Sequence, residues 1–228
     1  MTNAEVIDVV LLSLRVAALA ILVALPLSII VARYLSKGGA SRVVVSTLVH
    51  LPLVLPPVAT GYVLLLAFGP KGWVGQYLEN LGLGVGFSWV GAALAAGIMA
   101  FPLLVRPIRL AFENVDPRLE EAASTLGAGR RRVFLTITLP LAWPGVVAGS
   151  VLGFAKALGE FGATITFVSN IPGETQTISL AIYSLLQSPE GDRSALHLIG
   201  ISVLISFVAV LLSEVLTARF GRRQSSNE

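Results

Sequence analysis

The sequence contains no cysteine and few charged residues. Without cysteine, the chain can form neither disulfide bonds nor thiolate-bound metal sites. Charged residues make up 13% of the chain, whereas soluble domains usually contain about 25%. The sequence also has no G-x-x-x-x-G-K-[S/T] phosphate loop, so we expect no ATP hydrolysis by this chain itself. The shortage of charge argues against a soluble domain.

Long apolar segments are what the sequence does have. Hydrophobic residues make up 55% of the 228 residues, and the mean hydropathy is +0.83. Crossing the hydrocarbon core takes about 20 apolar residues in a helix. A large soluble core would need charged solvent-facing surfaces that this sequence lacks. We therefore predict a helical, polytopic membrane protein, with five spans near residues 8–34, 43–68, 86–112, 140–168 and 196–218.

The basic residues predict how these spans are oriented. If the N-terminus lies outside, the outer segments hold two basic residues, Lys71 and Arg193, and the inner loops and tail hold twelve: Arg33, Lys37, Arg42, Arg106, Arg109, Arg118, Arg130, Arg131, Arg132, Arg219, Arg222 and Arg223. This is the bias of the positive-inside rule, and it puts the C-terminus in the cytoplasm. The first ten residues contain no basic residue, so we expect the first span to be retained rather than cleaved as a signal peptide. We expect Arg15 and Arg106 to reach towards the membrane interfaces.

A polar stretch lies between the third and fourth spans, on the predicted cytoplasmic side. Asp116 and Pro117 form a favourable helix start, and acidic residues follow in the first turn. Gly127 and Gly129 can end that helix and reverse the chain. The residues alone therefore predict a short helix at 118–128. They leave open whether it is an ordinary capped loop or a docking element.

The same stretch resembles the signature of ABC importer permeases. Glu121-Ala122-Ala123, Gly127, Ile137 and Leu139-Pro140 occur in the order and spacing of that signature. The resemblance implies the type I importer permease fold: an all-α membrane protein with five transmembrane helices, or six, formed as one domain by residues 1–228. Residues 118–128 would be its cytoplasmic coupling helix, and the residues implied to act in ATPase coupling are Glu120, Glu121, Ala122, Ala123, Gly127 and Arg130.

The resemblance also implies the partners and the location. The permease would sit in a prokaryotic cytoplasmic membrane as a homodimer, with two ATPase subunits and an extracytoplasmic oxyanion-binding protein. ATP and magnesium would bind to the partner subunit, and this chain would bind no cofactor. We expect no nucleic-acid partner, because the basic residues lie between spans. His50 and His197 are isolated in the sequence, and we expect no metal site.

The segment that follows points to a substrate class. The sequence "ALGEFGA" (157–163) resembles permeases for tetrahedral oxyanions, and "TITFVSNIPGETQTI" (164–178) resembles the molybdate branch. The resemblance implies transport of molybdate or tungstate. The alternatives are a sulfate-type oxyanion permease and, from a different class, an ion-coupled secondary transporter.

Two charges inside the predicted fourth span admit two interpretations. Lys156 and Glu160 lie four residues apart on one helical face, and charges at such depth need a partner or water. They could neutralise each other within the structure or line the conduit. Glycines here would permit a helix break, and polar side chains follow towards the outer mouth. The predicted pathway residues are Lys156, Gly159, Glu160, Gly162, Thr164, Ser169 and Asn170.

Two further patterns concern packing. Residues 170–195 form a predicted outer segment whose amphipathic piece, at 177–187, is too short to span and predicts a re-entrant or interfacial helix. Gly145, Gly149 and Gly153 recur every four residues, which lets helices approach closely. That contact could lie within the subunit or between two copies.

Overall fold

The computed structural model describes residues 1–189 and 191–225, and gives side-chain surroundings for these except 213, 214 and 216–225. Within the described residues the chain is helical and contains no strand, which agrees with the predicted all-α class. Glu190, part of the predicted outer segment, lies outside the described residues. So do the side chains of Arg219, Arg222 and Arg223, on which the predicted cytoplasmic C-terminus partly rests.

Helices α1 (Asn3–Ser36) and α5 (Trp89–Glu113) form the centre of the bundle. Arg15 lies over the ring of Trp89 at 5.2 Å, and Arg33 lies over the ring of Phe112 at 5.8 Å, so the two helices run parallel. We call the end that carries Arg33 and Phe112 the basic end of the bundle, and the end with Arg15 and Trp89 the opposite end. That Arg15 and Arg106 reach towards the membrane interfaces stays a prediction.

Small side chains let α1 and α5 pack closely. A C-β atom added at Gly97 would meet the backbone of Ala20 at 3.4 Å. Close approach through small residues is the usual packing mode of membrane helices, since lipid tails are as apolar as leucine. The buried alanines of the two helices include Ala17, Ala20, Ala24, Ala92, Ala93, Ala96 and Ala100.

The predicted second span, 43–68, is not one straight helix. It consists of α2 (Ala40–Val54) and α3 (Pro57–Phe68), which are bent by 110° relative to each other. Leu55 is extended, as expected for a residue before proline, and Pro56 and Pro57 have no N–H to continue the helical hydrogen bonds. Helix α4 (Gly75–Asn80) follows in the link to α5.

The polar stretch forms α6 (Pro117–Thr125), close to the predicted 118–128. Helix α7 (Arg130–Val133) then continues through a π-helical turn (Phe134–Thr138) and α8 (Leu139–Leu141). The chain bends by 67° before α9 (Trp143–Leu158). Pro144 cannot donate to the carbonyl four residues earlier, which favours the bend.

The predicted fourth span, 140–168, is therefore wrong at both ends. The apolar helix pair begins at Arg130, and it ends at Leu158, where Gly159 is the C-cap. Residues 162–168 form a separate helix, α10 (Gly162–Val168), which packs against α3. A C-β atom on Gly61 would lie 2.5 Å from the carbonyl oxygen of Ala163, so this contact needs glycine.

The C-terminal part contains α11 (Ile178–Leu186) and α12 (Asp192–Ser225). Helix α11 coincides with the predicted amphipathic piece, and it packs against α12 and α1. By length and composition, α1, α5 and α12 could each cross a membrane. Counting the two bent pairs gives up to five spans within the described residues, which agrees with the predicted number.

The glycine stripe of α9 packs within the subunit. A C-β atom on Gly145 would lie 2.3 Å from that of Ala111, and one on Gly149 would lie 2.9 Å from the carbonyl oxygen of Leu104. Both neighbours belong to α5. The interpretation that these glycines serve packing inside one chain is therefore confirmed.

Candidate functional site

Helix α6 stands on the surface at the basic end of the bundle. Asp116 caps it by accepting a hydrogen bond from the N–H of Arg118 at 2.9 Å, and Pro117 occupies the first helical position. None of its residues is buried. Gly127, two residues beyond the helix, has φ +82°, a conformation that disfavours residues with a C-β atom. The chain thus reverses directly after an exposed helix.

The two faces of α6 differ in chemistry. Leu119 and Ala122, together with Leu126 at the C-cap, project on one side, since residues three to four apart share a helical face. Leu119 is 47% exposed and Leu126 is 88% exposed. Glu120 lies on the other side and is half-buried against the bundle. One exposed face of α6 is therefore apolar, bordered by the exposed charges of Arg118 and Glu121, while the charge of Glu120 lies towards the bundle.

Glu120 ties α6 to two other segments. Nη2 of Arg33, at the end of α1, donates to both carboxylate oxygens at 2.7 and 3.0 Å. Oγ1 of Thr138, in the π-helical turn, donates to Oε1 at 2.5 Å. The three residues are separated by 87 and 18 positions in the chain. One carboxylate thus joins three segments, and we call Arg33, Glu120 and Thr138 the Glu120 junction.

The junction favours the ionised carboxylate. Burial raises the pKa of Glu120, but the hydrogen bonds from Thr138 and Arg33 and the positive charges of Arg33 and Lys37 outweigh burial. The pKa of Glu120 therefore lies below its ordinary value of 4.5. The junction carries its charge at neutral pH.

Aromatic side chains support the junction from the bundle side. The rings of Phe112 and Phe134 lie 6.0 Å apart, and Arg33 lies over Phe112. The N–H of Leu139 bonds to the carbonyl of Phe134, five residues earlier, which is the hydrogen bond of a π-helix and is frequent at functional sites. A cavity of about 1100 Å³ opens beside the junction, lined among others by Lys37, Glu121, Arg130 and Arg131.

The other predicted coupling residues lie around this junction. Glu121 and Ala122 are exposed, and Ala123 is half-buried. Arg130 is exposed at the start of α7. The structure therefore brings the six predicted coupling residues to one surface, where Glu120 and Ala123 are half-buried and the other four are exposed. Their action on an ATPase stays a prediction.

The second predicted group begins at the break between α9 and α10. Nζ of Lys156 donates to Oε2 of Glu160 at 2.5 Å, and the N–H of Ala163 donates to Oε1 at 3.1 Å. The Glu160 side chain is 2% exposed and that of Lys156 is 29% exposed. Glu160 thus pairs with a lysine on one helix and caps the next.

The remaining residues of this group surround α10. Gly159 is exposed, and Gly162 lies against α3, where an added C-β atom would come within 2.7 Å of Pro57. Thr164 is buried at 2% exposure. The hydroxyl of Thr60, on the neighbouring helix α3, is buried without a hydrogen-bond partner.

Ser169 and Asn170 connect α10 to α11. Ser169 has φ +64°, an uncommon conformation for a residue other than glycine. Nδ2 of Asn170 donates to the hydroxyl of Ser184 at 2.5 Å, and the hydroxyl of Ser13 accepts the first N–H of α11, from Ile178, at 2.7 Å. These contacts hold α11 against the bundle. The pathway role of the seven predicted residues stays a prediction.

A separate groove does not suit an oxyanion. It has a volume of about 590 Å³, lies between α1, α2 and α5, and is lined by apolar side chains such as Leu19, Leu48 and Phe101. An anion there would have no hydrogen-bond donor from a side chain.

Most of the chain matches a known protein family. The model of a family described as "Binding-protein-dependent transport system inner membrane component" matches residues 24–222. The chain belongs to this family. It is therefore a multi-pass membrane component of a binding-protein-dependent transport system, which is the permease part of such a system.

Curated relatives match almost the whole permease. The chain is 53% identical over 219 residues to the molybdenum transport system permease protein ModB of Haemophilus influenzae, covering 95% of this chain and 96% of the relative. It is also 53% identical over 218 residues to ModB of Escherichia coli K12, covering 95% of each chain.

A solved structure shows the same fold. A bacterial ABC transporter involved in the import of alginate matches with a TM-score of 0.73 and 20% sequence identity, covering 96% of this permease and 80% of that chain. This confirms the predicted permease fold.

Sequence reasoning missed several residues that organise the permease. Arg33 was counted only among the inner basic residues, and Thr138 and Ser13 were not singled out. The available signal for Ser13 was a hydroxyl within an apolar helix. No local pattern identifies Arg33 as a partner of Glu120, because the two residues are far apart in the chain.

Proposed function

We propose that this permease imports molybdate, with tungstate as a second substrate, using ATP hydrolysed by a partner. The observation that carries the proposal is the 53% identity, over nearly the whole chain, to molybdenum transport permeases. The "ALGEFGA" segment and the continuation to residue 178 agree with that substrate class.

The permease works as a homodimer with two ATPase subunits, which bind ATP and magnesium, and an extracytoplasmic binding protein. The basic end faces the cytoplasm, so both the N-terminus and α11 lie outside. The apolar face of α6, with Leu119, Ala122 and Leu126 exposed, fits a groove on the ATPase subunit. An exposed apolar face of this kind indicates a docking surface.

The transport cycle follows from that arrangement. Closure of the ATPase pair on ATP draws the two α6 helices together, and the bundles move from inward-facing to outward-facing. The binding protein then releases its oxyanion, and hydrolysis returns the permease to the inward-facing state. Lys156, which is 29% exposed, and its partner Glu160 act together as a polar lining of the pathway.

Reconstitution tests the function. The permease, its ATPase and its binding protein are placed in liposomes, and ATP turnover and uptake are measured with molybdate, tungstate and sulfate in turn. We expect molybdate to stimulate both, and no uptake when the ATPase is omitted. Preferred uptake of sulfate would contradict the proposal that molybdate is the substrate. Uptake without the ATPase that stops when ion gradients are dissipated would instead indicate a secondary transporter.

A further inference from the structure

The attachment of α6 to the bundle carries the inference. On its N-terminal side, Val115 is 9% exposed and packs in the core at the basic end. On its C-terminal side, α6 is followed by Gly127 and Gly129, and C-β atoms added there would meet nothing within 4 Å. No residue of α6 itself is buried, and Ala123 is only half-buried, so packing of apolar side chains contributes little to holding the helix.

Polar contacts supply the missing attachment, and they converge on one residue. Glu120 accepts hydrogen bonds from Arg33 and Thr138. Hydrogen bonds between ionised groups are about twice as strong as those between neutral groups. The side chains of Arg33 and Glu120 are only 25% and 28% exposed, so solvent screens the pair less than a fully exposed one.

We propose that Glu120 is a positioning residue that transmits the motion of α6 to two membrane helices at once. Through Arg33 it moves the inner end of α1. Through Thr138 it moves the start of the bent span that continues into α9. The proposal rests on the proposed function and deepens it, because it separates Glu120, which faces the bundle, from the outward face of α6, which meets the ATPase.

The packing of the bundle explains how the two contacts of Glu120, with Arg33 and Thr138, can move the central helix. Both α1 and α9 pack extensively on α5, so a displacement applied to both is carried to the central helix. Without the junction, α6 would be free to turn about the reversal at Gly127, and part of the ATPase motion would be lost in that turn.

The functional test measures uptake per ATP hydrolysed in the reconstituted complex. We expect Glu120→Ala to lower this ratio by about fivefold to thirtyfold, which corresponds to a loss of about 1–2 kcal/mol. The matched control is Glu113→Ala. It removes another ion pair of 2.7 Å, with Arg109, but that pair lies within a single helix, so we expect the ratio to stay unchanged.

Two further variants separate positioning from simple folding. Thr138→Ser keeps the hydroxyl and should couple normally, whereas Thr138→Val should lower the ratio. The double variant Arg33→Glu with Glu120→Arg restores the ion pair in reverse and should recover part of the ratio lost in Glu120→Ala. Binding of the ATPase subunit should change less than twofold in all of them.

A measurement on the permease alone keeps the inference separate from the proposed function. The chain has no native cysteine, so a spin label on Leu126→Cys reports the motion of α6 alone. We expect greater mobility in Glu120→Ala than in Glu113→Ala. Equal mobility and equal coupling in the two variants would overturn the inference, and so would loss of ATPase binding in Glu120→Ala. Absence of ATP-driven uptake by the unsubstituted permease would contradict the proposed function alone.

Discussion

Two glutamates in different parts of the molecule show how one chemical group serves two structural tasks. Glu160, 2% exposed inside the bundle, pairs with a lysine four residues away and caps the following helix. Glu120, 28% exposed at the basic end, pairs with an arginine 87 residues away. The first organises a local break in the chain, and the second joins distant segments. The separation of the partners, rather than the residue type, distinguishes the two roles.

Two glycines differ in what limits their substitution. Inside the bundle, Gly145 touches α5, and an added C-β atom would overlap Ala111. At the basic end, Gly127 lies in open space, and only its positive φ restricts substitution. The bundle is therefore limited by packing, whereas the surface stretch is limited by backbone conformation.

The largest loss of stability is expected from substitution of Glu160. Glu160→Ala removes the partner of Lys156 and the acceptor of the Ala163 N–H, and breaking a buried pair in this way costs about 3 kcal/mol of stability. Glu160→Gln keeps an oxygen for Ala163 and should lose less. Thermal unfolding of the detergent-solubilised permease measures both. If both variants unfold at an unchanged temperature but uptake is abolished, the pair serves the pathway, and the structural role given to Glu160 is contradicted.

The second-largest loss of stability is expected from substitution of Gly145, which packs against α5. In Gly145→Ala the new methyl group would lie 2.3 Å from C-β of Ala111 and 2.8 Å from the carbonyl oxygen of Pro107, and overpacking of this kind costs about 2 kcal/mol. The control is Gly200→Ala, where nothing lies within 4 Å. A melting temperature that falls equally in both variants would contradict the packing role.

At the reversal after α6, substitution should act through the backbone. Gly127→Val forces a β-branched residue to φ +82°, which costs about 1–2 kcal/mol. We expect reduced uptake with a normal amount of protein in the membrane. Gly129→Val should have a smaller effect, because Gly129 has φ −65° and open space. Full uptake by the Gly127 variant would count against a docking role for α6.

The smallest expected effect is the change with pH in the stability that Glu120 contributes. A lowered pKa means that the folded protein favours the ionised carboxylate, so the junction stabilises the permease fully above pH 4.5, the ordinary value, and loses this effect as pH falls through the lower folded-state pKa. The stability difference between the unsubstituted permease and Glu120→Gln should be about 1 kcal/mol at neutral pH and disappear in acid. A difference that persists in acid would show that charge is not the cause.

Local signals were sufficient for much of the fold. Proline and aspartate at the start of α6, glycine after it and the apolar piece before Gln187 predicted α6 and α11 closely, because capping and periodicity act over a few residues. The same signals failed for the second and fourth spans. An apolar run shows that a segment is buried in lipid, but it does not show where the helix bends.

The candidate site likewise contains some residues that the sequence predicted and others that it did not. The stretch from Glu121 to Pro140 was identified by its resemblance to a family signature, and the charges Lys156 and Glu160 were identified by their spacing on one helical face. The inward direction of Glu120 could not be predicted, since its partners Arg33 and Thr138 lie elsewhere in the chain.

The membrane location of this protein, the approximate number of its spans and the short surface helix between two of them could be inferred from the amino-acid sequence. These properties depend on composition and on contacts within a few residues. The folded bundle was needed to show that Glu120 joins α1 to the π-helical turn, that Glu160 caps a helix break, and that the glycine stripe meets α5. Those contacts depend on where distant segments come together, which the packing of the whole bundle determines.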